Sequence, residues 1–427
     1  MSSLKSMYST LLKDEFPAEM TIDLGGQKLS YLKRQWTLDG EVKGLRYGEN
    51  PDQPAAVYEL AAGQLEIGGV KLRGPGEGIV SAISEAEMIQ SGKHPGKTNL
   101  TDVDSGVNIL QSLPAKPAAA ILKHNNPSGA AWSEKGVADA LEKAFWCDRI
   151  AAFGGAVVVN APLDMAAAKL IDSVYFEVVA APDFEEGVVE VLKKRKNLRI
   201  FKLPQLADLS GIAARPFLEI KALVDGGLIV QQSFMNRIRQ VGDFMAAKAM
   251  PPKDAPDQSE LTAGFPGAQQ CDDLLFAWAV ESGVISNSII FAKDGATVAI
   301  CAGEQDRVGC VELAIHKAYT KYADKLVFRE KGLTLYELRL KAANDKAAAA
   351  YLAEIEQRTK EDKGGLKGCV MVSDGFFPFR DGVDVAMAEG IKAIAQPGGS
   401  LRDYEVIQAV NENRVNMVFT GQRAFKH

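Results

Sequence analysis

Lys123 and His124 stand side by side and are followed by Asn125-Asn126-Pro127-Ser128-Gly129. Histidine titrates near neutral pH, and lysine supplies a compact cation that burial tunes. Together they suit proton transfer coupled to stabilisation of developing negative charge. Successive side chains of a continuing strand point to opposite faces, so the two can serve one site only where a strand breaks. The small-residue run Ala118-Ala119-Ala120-Ile121-Leu122 is predicted as the strand leading into the pair, with Asn-Pro and Gly129 turning the backbone after it. That places the pair at a strand end, where α/β enzymes keep their chemistry. A solvated loop accommodates a lone Lys-His pair equally well, so the rest of the chain has to decide.

The elements that must position such a pair follow from periodicity. Val137 to Trp146 and Met165 to Ile171 have helical spacing, and Ala156-Val157-Val158-Val159 between them is an apolar strand. This alternation predicts a three-layer α/β/α architecture. Met250-Pro251-Pro252-Lys253-Asp254-Ala255-Pro256-Asp257 reads as a linker or exposed crossover. A second α/β pattern follows: a helix from Asp272 to Ser282, a strand Ile289 to Ala292, a turn at Lys293-Asp294-Gly295 and a strand Thr297 to Ile300. Leu163 to Ile171 and Val383 to Ile391 share the form apolar-Asp-x-Ala-x-Ala-x-x-Ile, a faint internal echo.

Composition bounds the function class. A chain of 427 residues implies two or three domains. Apolar residues at 47% and charged residues at 24% are ordinary for a soluble globular protein, and a net charge of -6 argues against a general nucleic-acid binder. The basic run Lys193-Lys194-Arg195-Lys196 reads as a solvated face near a helix end. Met1 to Phe16 lacks the apolar segment of a signal peptide, and no stretch approaches bilayer-spanning length, so no membrane partner is expected. Cys147, Cys271, Cys301, Cys310 and Cys369 form no C-x-x-C pair, the pattern of reduced, mostly buried thiols in a cytoplasmic protein.

The pair keeps specific company. The chain carries Leu45-Arg46-Tyr47-Gly48-Glu49-Asn50-Pro51, Ala152-Phe153-Gly154-Gly155, Ser286-Asn287-Ser288, Ala302-Gly303-Glu304-Gln305-Asp306-Arg307, Ser373-Asp374-Gly375-Phe376-Phe377-Pro378-Phe379-Arg380-Asp381, Gln396-Pro397-Gly398-Gly399-Ser400 and a terminal Arg423-Ala424-Phe425-Lys426-His427. In this order the blocks resemble the AICAR formyltransferase part of the bifunctional purine-biosynthesis family that also has IMP cyclohydrolase activity. The resemblance runs from about Leu45 to His427. It implies two cytidine-deaminase-like lobes in one chain, at 41–205 and 263–427, joined by a segment 206–262 and preceded by a lead-in 1–40. It also implies AICAR and 10-formyltetrahydrofolate as small-molecule substrates, and a homodimer with sites at the subunit interface. Fewer residues precede Arg46 than a domain needs. The expectation is therefore formylation without ring closure, with a separate cyclohydrolase acting on the product.

Deaminases of that fold use zinc, but H-x-E and P-C-x-x-C are absent and His94, His124, His316 and His427 lack ligand spacing, so no catalytic metal is predicted. Gly74-Pro75-Gly76-Glu77-Gly78 has neither dinucleotide nor Walker spacing and reads as a turn. No G-x-S-x-G offers a hydrolase nucleophile.

Moving a one-carbon acyl group between nitrogens needs a base for the attacking amine, a holder for the oxyanion and a proton for the leaving nitrogen. His124 suits the first and Lys123 the second or third; by resemblance Asn287 fixes the formyl oxygen. Arg46 and Arg423 suit a nucleotide phosphate, although either alone would pass as a surface residue. Tyr47 adds a hydroxyl. The resemblance implies that Asn99, Gly154, Glu177 and Arg307 contact the heterocycle, carboxamide or ribose phosphate, that Phe376 stacks on the base, and that Phe153 and Asp381 belong to the substrate-binding set. At least one aromatic of Phe376-Phe377-Pro378-Phe379 is expected to be core packing. Asp52 departs from the family's Asn-Pro-His-Gln, and no binding role is assigned to it. Two rival readings are a non-catalytic nucleotide or folate-binding paralogue on the same scaffold and a deaminase-like hydrolase.

Overall fold

The computed structural model describes residues 14–427 apart from Asp39, Pro114, Ala115 and Pro256. Most of the predicted signal-free stretch Met1 to Phe16, and Pro256 of the predicted linker, lie outside the described residues. The chain divides into two compact units, Met1–Gln111 with Leu122–Asn125 and Gly154–Met235, and Ser112–Ile121 with Asn126–Phe153 and Asn236–His427. Both are mixed α/β, as the alternating pattern predicts.

In the first unit the strands Glu19–Leu24 and Gln27–Lys33 form an antiparallel hairpin in the register Glu19↔Leu32 to Leu24↔Gln27. Gly25 and Gly26 turn it at φ +63° and +90°. Three strands, Ala156–Val159, Val178–Ala181 and Arg199–Lys202, then run parallel, with Ala156 opposite Val178 and Val178 opposite Arg199. The first two are buried throughout, which explains their unbroken Val/Ala composition. The edge strand Met88–Gln90 pairs antiparallel with Arg199–Lys202. The helix Lys97–Leu110 lies against the Ala156–Val159 strand, and a Cβ on Gly106 would stand 2.6 Å from Val158 Cγ2, so only glycine permits that approach. Lys193, Lys194 and Lys196 are exposed just past the helix Val188–Leu192, as the charge run predicts.

In the second unit the strand order is Met245–Ala246, Asn416–Phe419, Ala393–Gln396, Val370–Ser373, Ile289–Lys293, Ala296–Cys301, Asn126–Trp132. Ala393–Gln396 runs parallel to both neighbours, whereas Ile289–Lys293 is antiparallel to both of its own. Strand alternation sorts the side chains into two layers. Ile289, Phe291, Met371, Ile394 and Met417 share one core with Cys310, Val311 and Ala314 of the helix Arg307–Lys331, Val383 and Ala386 of Asp381–Ala388, and Val406 and Val410 of Asp403–Glu412. The helix Ala268–Glu281 packs on the same strands without joining that core, so helices cover both faces. This is the predicted three-layer arrangement within one unit.

One local expectation is corrected. The predicted strand is present as Ala118–Lys123, but Asn126-Pro127-Ser128-Gly129 does not turn the chain: it begins the strand Asn126–Trp132. The reversal is made by His124 and Asn125, both left-handed at φ +55° and +63°. Asparagine tolerates that region, and proline near a strand start loses little ladder bonding. Gly129 serves packing instead, because a Cβ there would stand 2.0 Å from the carbonyl oxygen of Ala144. Both segments of the internal echo contain a helix, but their aspartates are used differently. Asp164 caps the helix Met165–Ser173 by accepting from Ala167 N–H, whereas Asp384 lies inside its helix and pairs with Arg380 at 2.7 Å.

Candidate active site

In the first unit the candidate residues converge on the helix Lys97–Leu110. Asn99 and Asp102 are three residues apart and so lie on one face. Asn99 Oδ1 accepts from the Gly96 N–H at 3.1 Å, which fixes the amide; its Nδ2 donates to Glu177 Oε2 at 3.1 Å. Asp102 Oδ1 accepts from the Asn125 N–H at 2.7 Å and anchors the reversal that carries His124. Burial raises the Asp102 carboxyl above its ordinary range, opposed by that hydrogen bond and by the positive fields of His124 and Lys123. Lys123 is half-buried and His124 exposed.

Arg46 is buried beside this helix start. Its guanidinium donates to the Lys93 carbonyl at 3.2 Å and to the Tyr47 hydroxyl at 2.8 Å, and lies 4.5 Å from the Tyr47 ring centroid. Its Nε, although buried, has no hydrogen-bond partner. Gly154, at φ +76°, donates to the Tyr175 carbonyl at 2.7 Å, and Glu177 N–H donates to Gly155 O at 2.9 Å, so the glycine pair supports the strand entry that bears Glu177.

Sequence reasoning missed Arg199 and His94. Arg199, 2% exposed, places Nη1 3.5 Å from the Glu177 carboxylate and donates through Nη2 to His94 O at 3.1 Å. His94 Nε2 bonds to the Gly44 carbonyl, its ring meets Trp36 edge-on at 5.7 Å, and burial holds its pKa below the ordinary imidazole range. The signal for Arg199 was a cation opening an otherwise apolar strand, Arg199-Ile200-Phe201.

In the second unit Asn287 and Arg307 meet directly. Arg307 Nη2 donates to Asn287 Oδ1 at 2.8 Å, and Asn287 Nδ2 donates to the Gln305 carbonyl at 3.0 Å. Arg307 Nη1 donates to Ser288 O at 3.0 Å and to Asp374 Oδ1 at 2.5 Å. Asn126 of the motif that follows the Lys-His pair accepts from the Ile285 N–H at 3.1 Å, two residues ahead of Asn287. Glu281 is fully buried, receives the Ser288 hydroxyl at 2.9 Å, and is pushed well above the carboxylate range by burial and by Asp374. Asp374, Ser288 and Glu281 were not assigned roles from the sequence. Their signal was polarity at apolar positions: Glu281 ends the largely apolar helix Ala268–Glu281 and Asp374 follows the buried strand Val370–Ser373.

The terminal block is docked. Ser286 N–H donates to Lys426 O at 2.9 Å, and Ala424 N–H donates to Asp374 O at 3.0 Å. Arg423 is exposed, with its guanidinium 4.2 Å from the Phe425 ring centroid. Phe376 and Phe379 are 41% and 49% exposed, while Phe377 is fully buried, so one aromatic of this block is core packing as expected. Asp381 is exposed at the start of its helix and Phe153 is exposed after the short helix Arg149–Ala152. Asp381 Oδ1 accepts from the Gly382 N–H at 2.8 Å. Asp52 is exposed in a turn.

The first unit supplies buried guanidinium groups and a histidine and a lysine at a strand reversal, and the second, by itself, a fixed amide donor held by a buried guanidinium. The model of the AICARFT/IMPCHase bienzyme family matches residues 5–317. Bifunctional purine biosynthesis protein PurH of Magnetococcus marinus is 33% identical over 91% of this chain and 60% of its own length. The protein of the same name from Roseobacter denitrificans is 37% identical over 90% of this chain and 59% of its own. That from Aquifex aeolicus is 32% identical over 98% and 65%. The chain thus spans roughly three fifths of the length of these relatives.

Proposed function

Since this chain belongs to the AICARFT/IMPCHase bienzyme family, we propose that it acts in purine biosynthesis as an AICAR formyltransferase. The formyl group of 10-formyltetrahydrofolate passes to the 5-amino group of AICAR, giving formyl-AICAR and tetrahydrofolate. The amine nitrogen attacks the formyl carbon and gives its proton to His124. Lys123 and the Asn287 amide hold the oxyanion, and collapse expels the folate nitrogen, which takes up a proton. Arg46, Tyr47 and Arg423 receive the nucleotide phosphate. Asn99, Gly154, Glu177 and Arg307 surround its heterocycle, carboxamide and ribose, Phe376 stacks on the base, and Phe153 and Asp381 complete the binding set.

The observation that carries this reading is the shared helix face: Asn99 holds Glu177 while Asp102 anchors the turn bearing His124. A nucleotide-binding residue and a proton-transfer residue are thereby referred to one rigid element. The lobes at 41–205 and 263–427, the cytoplasmic location and a homodimer whose sites combine both halves from two copies belong to the same proposal. So does release of formyl-AICAR rather than IMP: each residue given a role serves binding or formyl transfer, and a separate cyclohydrolase closes the ring. The rival, a non-catalytic nucleotide or folate-binding paralogue, is disfavoured because such a protein has no need of Lys123, His124 and Asn287 together. Incubation with AICAR and 10-formyltetrahydrofolate tests the reading. Spectrophotometric release of tetrahydrofolate with chromatographic formyl-AICAR is expected, and nucleotide binding without turnover would establish the rival.

A further inference from the structure

Building on the formyl-transfer reading, we infer that Asp374 is the positioning residue of this site, fixing Arg307 and the Ser286-Asn287-Ser288 segment so that Asn287 presents its amide NH2 to the formyl oxygen. Asp374 is fully buried and touches no solvent. Its Oδ1 accepts from Arg307 Nη1 at 2.5 Å and from the Ser288 N–H at 3.2 Å, and its Oδ2 accepts from the Ser286 hydroxyl. One carboxylate therefore grips the residues on both sides of Asn287 together with the guanidinium that grips Asn287 itself.

The consequence is chemical. An amide has one acceptor oxygen and one NH2 donor group. With Oδ1 committed to Arg307 at 2.8 Å, flipping the amide would forfeit a charge-assisted hydrogen bond. Only Nδ2, now on the Gln305 carbonyl at 3.0 Å, remains to face a substrate. A donor is the sign an oxyanion requires, and an amide carbonyl in its place would repel one. Two further features protect the arrangement. A Cβ on Gly375 would stand 2.7 Å from Arg307 Nη2, so the residue after Asp374 leaves space that only glycine leaves. Glu281, the other carboxyl in this buried cluster, takes its hydrogen bond from Ser288 and not from Arg307, so the guanidinium stays with Asp374 and Asn287.

A double-mutant cycle separates positioning from general structure. Asp374→Asn keeps the size but replaces an acceptor oxygen by a donor, and kcat is expected to fall at least about tenfold, towards the roughly 10²- to 10³-fold typical of a lost oxyanion donor. In an Asn287→Ala background the same change should cost less than about twofold, because the group it positions is gone. Losses that multiply, or an Asp374→Asn protein within about twofold of the parent, would overturn the inference. Thermal unfolding monitors the fold; if Asp374→Asn does not fold, Ser286→Ala takes its place, with a loss of a few-fold expected to vanish in the Asn287→Ala background and a multiplying loss again overturning it. A parent protein without formyl transfer removes the underlying reading, whereas an active parent with multiplying losses removes this inference alone.

Discussion

Asn99 and Asp102, one turn apart on the helix Lys97–Leu110, hold two different parts of the candidate site: Asn99 donates to Glu177 at 3.1 Å, and Asp102 accepts the Asn125 N–H at 2.7 Å. A helix is stiff over one turn, so the two attachments keep a set separation. The hairpin that carries His124 is thus registered to the strand entry that carries Glu177, although Asn99 and Glu177 are 78 residues apart in sequence.

Asp102→Ala is expected to leave the Asn125 N–H without its acceptor and to lower stability by about 1–3 kcal/mol. Asp102→Asn, which keeps an acceptor oxygen, should recover most of that loss. Urea denaturation of the two variants decides it, and equal midpoints would show that the hydrogen bond does not anchor the turn.

His124→Ala should lower kcat by about 10²- to 10⁴-fold, as for loss of a general base, while AICAR binding changes far less. Turnover of the purified variant and calorimetric titration with AICAR separate the two quantities. Activity within a few-fold of the parent would remove His124 from the proton-transfer role.

Arg199→Met removes a fully buried guanidinium, its bond to His94 O and its pairing with Glu177 at 3.5 Å. Because the Glu177 side chain is 35% exposed and partly screened, the expected loss is about 2–3 kcal/mol, less than for a fully buried pair. The AICAR KM should rise more than kcat falls, since Glu177 loses its orientation. A change in kcat alone would contradict a binding role for this cluster.

Glu281 gives the protein a pH dependence of definite sign. Burial, with Asp374 adding to it, raises its folded pKa well above 4.5, against the hydrogen bond from Ser288 and the field of Arg307. Above pH 4.5 the unfolded chain has released this proton and the folded chain has not, so the folded state binds more protons. Stability from this group is full below that pH and falls as pH rises towards the folded pKa. Glu281→Gln imitates the neutral acid and should flatten the decline in urea midpoints that sets in above pH 4.5. An unchanged slope would mean that Glu281 is ionised in the fold.

The homodimer proposal predicts complementation. Strongly impaired Lys123→Ala co-refolded with strongly impaired Asn287→Ala should recover roughly a quarter of parental activity, because random pairing makes about half the dimers mixed and each mixed dimer has one intact site in two. No recovery from demonstrably mixed dimers would place each site within a single chain.

Local pattern determined much of this protein. The strand Ala118–Lys123, the helices Val137–Cys147 and Met165–Ser173 and the hairpin Ile289–Lys293 with Ala296–Cys301 all follow from residues a few positions apart, since helical and strand periods are short-range. The Asp294 and Gly295 turn of that hairpin was legible for the same reason, at φ +52° and +69°. Residue type marked Lys123 and His124 as suited to proton transfer, and the family resemblance added Asn287 and Arg307. Tertiary structure decided where the chain reverses: His124 and Asn125 take left-handed conformations, and the Asn125 N–H is held by Asp102, 23 residues earlier. It also turned Gly129 from an apparent turn residue into the contact point for Ala144. Arg199 reaches His94 across 105 residues, Arg307 reaches Asp374 across 67, and Ser286 reaches Asp374 across 88. No local pattern encodes such pairs, because a buried polar group takes whichever partner the packed elements bring within about 3 Å, and packing is a property of the whole fold.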